Sequence, residues 1–593
     1  MKIRVADYIA NFLSSKNIDT VFTVTGGGAM HLNDALGHHP KLKCVYNHNE
    51  QACSIAAEGY FRVENKLATV CVTTGPGGTN AITGVMGAWV DSIPMFVLSG
   101  QFRYDFIARS SGPNCRAVGD QEFDITRSIS CMTKYAEMVV EKNDIAYHLE
   151  KALFLALSGR PGPVWLDIPL NIQSAIINTE ELKHFSADYD ENISIENQTI
   201  DTVADKIVGS KRPLLYVGSA VRTSGSTNKL LTLAEKFNVP VVLAWNSVDA
   251  FPSNHSLYVG RAGLLGDRPA NFAVANSDLI VSLGCRLSVR QVGYNKGEWA
   301  PNAFKIMCDI DEAELKKKTI DIDFPVLGDV GEFINALLKR DIKYETDTKE
   351  WIDFCSTLRK KYPIIQDKFH NSKEVNPYIF VDKLSALLCD DAVTVVGNGT
   401  ACVVGSQAYN IKCNQRFIIN SGAASMGYDL PASIGAAEGN AGNEIICITG
   451  DGSIQMNLQE LQTIKHHNYP IKIFVINNGG YHSIRQTQKN FFNPPLVGVG
   501  VESKDLSFPS LKKLSNAYGF KYFSCDTNNN IDEFLKSLLK RKGPLIAEIF
   551  VDVNQNFEPK AAAKKMPDGS MVSRPMHDMY PFLSEAELKE NIL

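Results

Sequence analysis

Two short turns carry the residues best suited to chemistry. One is Gly450-Asp451-Gly452-Ser453; the other is Asn477-Asn478-Gly479-Gly480, with Tyr481 after it. Each closes an apolar run, EIICIT before the first and IKIFVI before the second. Leu458, Leu461 and Ile464 recur at helical spacing between them. The pattern predicts strand, helix, strand, with the helix opening at Ser453 or soon after. Two parallel strands joined by a helix bring their C-terminal ends to one sheet edge, where open α/β sheets take ligands. Asp451 and Asn478 are therefore expected to converge as oxygen ligands beside a helix N-terminus, which favours an anion. Mg²⁺ takes about six oxygens in an octahedron, usually from one or two protein groups plus phosphates and water. One carboxylate, one amide oxygen, a backbone carbonyl at about Gly480 and two oxygens of a diphosphate meet that need. The glycines let the backbone come close. Read separately, GDG and NNGG are each more often plain turns. At the ends of adjoining strands they form a candidate site.

Those turns need a frame, and apolar runs alternate with helical stretches in three segments. In residues 1–172, Val45-Tyr46, Ala68–Val72 and Met95–Leu98 read as buried strands, with TGPGGTN after one of them. In 195–340 the strand candidates are LLYVG, VPVVLAW, LIVSLG and FKIMCDID. In 375–555 they are AVTVVG, EIICITG, IKIFVIN and PLIAEIFV. Such runs between helical stretches predict parallel sheets covered on both faces. The expected fold class is α/β, with three doubly wound parallel-sheet domains. A chain of 593 residues exceeds the roughly 250–300 at which single cores stop growing. The joins, 172–200 and 340–375, are polar and read as surface linkers. The tail, 556–593, is rich in Lys, Met and Pro and reads as a capping arm or a mobile end.

Composition excludes some classes. With 44% hydrophobic and 21% charged residues and a net charge of -5, the chain is expected to be a soluble globular protein without the basic face of a nucleic-acid binder. No stretch reaches the ~20 apolar residues of a membrane span. The opening MKIRVADYIANFLSS reads as an amphipathic helix and not as a signal peptide. The 13 cysteines are scattered singly, which favours reduced thiols, a cytoplasmic setting and no structural zinc.

The stretches HNEQACSIAAEGY, TTGPGGTNAITGV, SGRPGPVWLDIP, SGAASMGYDLPASIGAA and the run from GDG to NN, taken together, resemble the acetolactate synthase and pyruvate decarboxylase superfamily of thiamine diphosphate enzymes. The likeness covers nearly the whole chain. It implies a pyrimidine-binding N-terminal domain, a central Rossmann-like domain and a C-terminal diphosphate-binding domain. By the same resemblance Glu50, in NHNEQA, is the catalytic glutamate that hydrogen-bonds N1′ of the aminopyrimidine. Met426 is the bulky residue that holds the cofactor bent. Gly26, Gly27 and Gly28 form a loop at the active-site mouth, where backbone N–H groups face a developing oxyanion; a structural turn is the competing reading. Gln121 and Gln101 match glutamines that reach the reaction centre. Asn398, Gly399 and Thr400 are expected near the diphosphate or pyrimidine. Their run, GNGTAC, lacks the third glycine of a dinucleotide fingerprint.

Acetolactate synthases also carry FAD, without net redox work. Arg160, Gly218, Gly284, Arg286, Asp309 and Asp329 match its binding pattern, arginine suiting phosphate and an acidic side chain suiting a ribose hydroxyl. Ser288 stands where relatives often have an acid, and GRAGLLGD departs from the family's Met-His-Gly pattern. Thr487 and Asp120 occupy positions of a tryptophan and a phenylalanine that shape the acceptor pocket. The implied activity is decarboxylation of a 2-oxo acid, pyruvate first, with transfer of the two-carbon unit to a carbonyl acceptor. A polar pocket points beyond a second pyruvate, to an aldehyde, a diketone or a nucleotide-linked keto-sugar. His48, Asn49, His482 and Ser483 are candidates for further polar contacts, with a satisfied surface histidine as the plain reading of His482. A simple decarboxylase or C–C hydrolase is the alternative. The resemblance implies thiamine diphosphate, Mg²⁺ and FAD as cofactors. It also implies a homodimer or dimer of dimers, because Glu50 acts on a cofactor held by the other subunit.

Overall fold

The structure is a computed structural model that describes all residues except 113, 188–193, 342–345, 493, 566–567 and 569. Parts of both predicted linkers, 188–193 and 342–345, therefore lie outside the described residues. Three six-stranded sheets organise the chain, each parallel throughout. The first runs in the order Lys43–Tyr46, Thr20–Thr23, Thr69–Val72, Met95–Gln101, Pro163–Pro169, Tyr135–Met138. The third runs Arg416–Ile419, Val393–Val396, Ile445–Gly450, Ile471–Asn477, Leu545–Phe550, Lys521–Cys525. Numbered within their own sheets, both have the order 2-1-3-4-6-5. The central sheet, Tyr258–Arg261, Val241–Leu243, Pro213–Val217, Leu279–Leu283, Phe304–Asp309, Phe324–Leu327, has the dinucleotide-fold order 3-2-1-4-5-6.

The doubly wound expectation holds residue by residue. Along Met95–Gln101, Met95 and Val97 enter one buried cluster while Phe96 and Leu98 enter another. Along Ile471–Asn477, Ile473 and Val475 point one way and Phe474 and Ile476 the other. Both faces of each strand are buried, which is why these strands read as unbroken apolar runs.

One cluster joins the first and third sheets. At its centre helix Glu50–Glu64 crosses helix Asp429–Gly439, and each follows the second strand of its own sheet. Small residues make the crossing close. A Cβ on Gly435 would lie 1.8 Å from the Ala56 carbonyl oxygen, and one on Gly59 would lie 2.3 Å from that of Ala432. The two outer units therefore pair through equivalent helices, like two copies of one fold.

Two expectations change, and the tail takes one of the two forms expected of it. The opening segment is not helical from its start: Lys2–Arg4 pairs antiparallel with Ile176–Asn178, and the helix is Val5–Ser15. After Gly452 the chain makes a 3₁₀ turn, Ser453–Asn457, and the α-helix begins only at Glu460. Side-chain bonds from Ser453 and Asn457 to the Gly427 loop hold that tighter turn. The tail is packed: Arg268 donates to the Met579 carbonyl at 3.1 Å, and Asn276 to that of Asn591 at 2.8 Å.

Candidate active site

In the third sheet the order reverses between Val393–Val396 and Ile445–Gly450, and the crevice of a parallel sheet opens at such a reversal. Three turns meet there. The first is Gly397 to Thr400, with Gly399 at φ 76° and open space around it, leading into helix Thr400–Ala408. The second is the Asp451 turn. The third is the Asn478 turn, held in register because Gly450 pairs with Ile476 and the Asp451 amide donates to the Ile476 carbonyl at 3.1 Å.

Asp451 and Asn478 stand at the ends of adjoining strands. Asp451 is buried, and burial pushes its carboxyl up to about 7 against the backbone N–H groups of Gly452 and Gly480. A carboxylate so placed is stabilised by a cation. Asn478 donates its amide N–H to Thr400 Oγ1 at 3.0 Å, which leaves its Oδ1 buried with no partner among the described residues. A buried acceptor without a donor is costly, by roughly 1–3 kcal/mol, unless a ligand meets it. Gly480, at φ 131°, adopts a conformation only glycine takes readily, and a Cβ there would lie 2.2 Å from the Val499 carbonyl oxygen. Arg485 fixes the loop, donating to the carbonyls of Asn478 and Gly479 at 2.9 and 3.0 Å. Among the described residues no cluster of three or more His, Cys, Asp or Glu is arranged for a metal ion. A Mg²⁺ here would rest on one carboxylate, one amide oxygen and backbone oxygen, a donor set that fits a hard cation shared with phosphates. Tyr481 packs its ring over the turn, so a Cβ on Gly452 would lie 2.4 Å from it. Ser453 differs from expectation. Its hydroxyl is committed to Asp429 at 2.6 Å and to the Gly427 amide at 3.0 Å, leaving only its backbone N–H for a ligand.

Met426 lies in the loop thus tied to the Asp451 turn, beside Gly427 at φ 76°. Glu50 opens its helix, capped by Asn49, and accepts from Asn80 Nδ2 at 2.9 Å. NHNEQA and PGGTN thus meet through side chains that were not paired from the sequence. Neighbours of Glu50 touch the third unit of the same chain: Asn47 and the His48 amide bond Glu460, and Asn457 bonds Gln51. Among the described residues no hydrogen bond or ion pair joins Glu50 to Asp451 or Asn478. Gly27 is exposed at the end of the first strand, with nothing near its Cβ position. Gln121 is exposed at φ 55°, and its carbonyl abuts Gly75.

Gln101 does not reach an open centre. It is buried, accepting from Thr74 Oγ1 at 2.7 Å and donating to Asp167 at 3.0 Å and to the Phe123 carbonyl at 2.8 Å. His482 is not at the surface. It is buried, bonded to the Gln555 carbonyl at 2.8 Å and packed edge-on against Phe557, and burial lowers its pKa to about 4.

The central sheet reverses between Pro213–Val217 and Leu279–Leu283, and a cavity of about 290 Å³ lies there. Arg160, Gly284, Arg286, Ser288 and Asp309 line it. Gly218 stands against Gly284, where a Cβ would lie 2.0 Å from its carbonyl oxygen. Burial pushes Asp309 up to about 6. Two expectations are qualified. Asp329 does not line the cavity, because its carboxylate caps helix Val330–Leu338 through the amides of Gly331 and Glu332. Arg160 is held by Ser92, Asp311 and Glu314 at 2.8–3.0 Å, and a further hollow of about 540 Å³ lies beyond it.

Comparison with known proteins accords with this layout. Residues 3–125 match the thiamine pyrophosphate enzyme N-terminal TPP binding domain, 200–337 its central domain and 397–549 its C-terminal TPP binding domain. The acetolactate synthase large subunit of Corynebacterium glutamicum is 32% identical over 518 residues, covering 87% of this chain and 81% of its own. That of Lactococcus lactis is 29% identical over 554 residues, 93% of each chain. The isozyme 1 large subunit of Escherichia coli is 29% identical over 560 residues, 93% of this chain and 95% of its own.

Proposed function

The chain belongs to the thiamine pyrophosphate enzymes, and from that premise we propose that it decarboxylates pyruvate and transfers the two-carbon unit to a carbonyl acceptor. The observation that carries this is the pair formed by the buried Asp451 carboxylate and the unpartnered Asn478 Oδ1 at adjoining strand ends. Bound there with Mg²⁺, thiamine diphosphate supplies a carbon nucleophile and an electron sink for the carboxylate's loss. The residues of the chain hold and orient. Asp451, Asn478 and the Gly480 carbonyl would hold the cation, with Thr400 orienting the Asn478 amide through its hydroxyl, and the N-terminus of the helix beginning at Thr400 would favour the diphosphate. Met426 supports the bend. Glu50, held by Asn80, keeps a proton at the pyrimidine.

Glu50 bonds Asn80 and, among the described residues, makes no hydrogen bond or ion pair with Asp451 or Asn478 of its own chain, which supports a site completed by a second copy, in a dimer or dimer of dimers. Residues 1–172 then serve the pyrimidine, 375–555 the diphosphate, and 556–593 act as a cap. The central cavity, with Arg160, Arg286 and Asp309 on its wall, supports FAD in residues 195–340. Thr487 and Asp120 are exposed and small or charged, which favours a polar acceptor such as a keto-sugar. The thirteen free cysteines suit a reducing cytoplasm.

The test is incubation with labelled pyruvate, Mg²⁺ and thiamine diphosphate, with and without a panel of carbonyl acceptors, read by mass spectrometry. A ligated product is expected. Acetaldehyde or acetate alone would favour the simple decarboxylase or hydrolase, and no CO₂ release would end the pyruvate reading.

A further inference from the structure

Helix Glu50–Glu64 buries a second acid two turns beyond its first residue. Glu58 accepts from both Arg62 Nε and Nη2, at 2.9 and 2.7 Å. Arg62 Nη2 also donates to Asp91 Oδ2 at 2.7 Å, at the end of helix Pro76–Asp91. From the third unit Tyr428 donates to Glu58 at 3.2 Å and Asn420 at 3.3 Å. Asn420 and Tyr428 bracket the segment that carries Met426. One node thus ties together the helix that begins with Glu50, the helix that begins near Asn80 and the Met426 segment.

The node is incomplete. It holds two carboxylates and one guanidinium, and Asp91 Oδ1 is buried without a hydrogen-bond partner among the described residues. Asp91 is only 6% exposed, yet it lines the central cavity together with Ser421 and Gly422. A Cβ on Gly422 would lie 2.5 Å from that same oxygen. A buried carboxylate oxygen at a cavity wall requires a donor, and none is bonded to it among the described residues.

We propose that Asp91 is a positioning residue that couples occupancy of the central cavity to the Met426 segment. One of its oxygens holds Arg62, and the other accepts from an N–H or O–H of the occupant. A filled cavity then fixes segment 420–428 and, through Arg62 and Glu58, the helix bearing Glu50. The proposal rests on the reading of this cavity as a nucleotide site and of Met426 as a cofactor contact.

Hydrogen-exchange mass spectrometry on the full chain tests it, with FAD and ADP as probes and without turnover. In the wild type, saturating FAD or ADP is expected to slow exchange in peptides covering 420–428 by roughly tenfold, within the usual range of coupling between sites. In Asp91→Asn the amide oxygen turns to Arg62 and the amide nitrogen faces the cavity, where it cannot accept. The slowing should fall below about twofold while the nucleotide still binds. Unchanged exchange in the wild type overturns the proposal, as does an Asn variant that responds like the wild type. Failure of both nucleotides to bind also overturns it. The wild-type comparison decides even if the variant does not fold. A protein that shows the coupling but releases no CO₂ from pyruvate would refute the proposed activity alone.

Discussion

The first and third sheets share one strand order yet present opposite chemistry. In the third, three turns meet at the reversal point, among them the buried Asp451 carboxyl and the Asn478 amide. In the first, the equivalent reversal lies between Thr20–Thr23 and Thr69–Val72. There Gly26 and Gly28 pack on Thr73 and Thr74, and neither turn, 24–28 or 73–78, carries an acidic residue of its own. The acid of the first unit sits instead at the start of the helix after the second strand, where a helix N-terminus and Asn80 hold it. The frame dictates where a ligand goes. The few residues after each strand decide which part of it is gripped.

The strongest way to break that contrast is Asp451→Ala. Thiamine diphosphate and Mg²⁺ affinity should fall by more than about 100-fold in calorimetric titration, since a first ligand matters more than its supports. Retained affinity would move the diphosphate elsewhere. Glu50→Gln should do the reverse, lowering turnover by roughly 10²–10⁴-fold with cofactor affinity nearly unchanged. Equal loss of both would erase the division between the units. Thr400→Val should weaken Mg²⁺ by about 10–100-fold, because Asn478 loses the hydroxyl that sets its orientation. Gly435→Ala should destabilise the pairing of the units by roughly 1–3 kcal/mol, read as a lowered melting temperature.

The smallest effect concerns Asp167 in the first unit. Burial raises its carboxyl to about 7, above its ordinary 3.8. A raised native pKa gives stability that is full below pH 3.8 and lost as pH rises through 7. Asp167→Asn should remove that slope. The difference between wild-type and variant melting profiles should therefore change between about pH 4 and 7, by a few kcal/mol at most, and a flat difference would refute the assignment.

The Asp451 and Asn478 turns were legible from the chain because each follows a long apolar run, and a strand end beside Gly-Asp-Gly is a strong local signal. Less apolar strands escaped. Arg416–Ile419 opens on a charge, and Lys521–Cys525 at a sheet edge alternates without a full apolar face. Gln101 was expected at the reaction centre because it matches a glutamine that reaches it in the family the chain resembles. Its partners, Thr74, Phe123 and Asp167, come from separate elements and no local pattern announces them. The Glu58 node had one signal, an acid and an arginine four apart within the small-residue run SIAAEGYFR, but the cavity that makes it incomplete appears only when three units pack.

The crossing at Gly59 and Gly435 also limits how this chain can change over generations. Backbone rests on backbone there, so neither helix has a side chain that could shrink to make room for growth in the other. Tolerated variation should collect in the loops after the strands and largely bypass this seam. New acceptor preferences could then arise without disturbing the pairing that holds the two halves together.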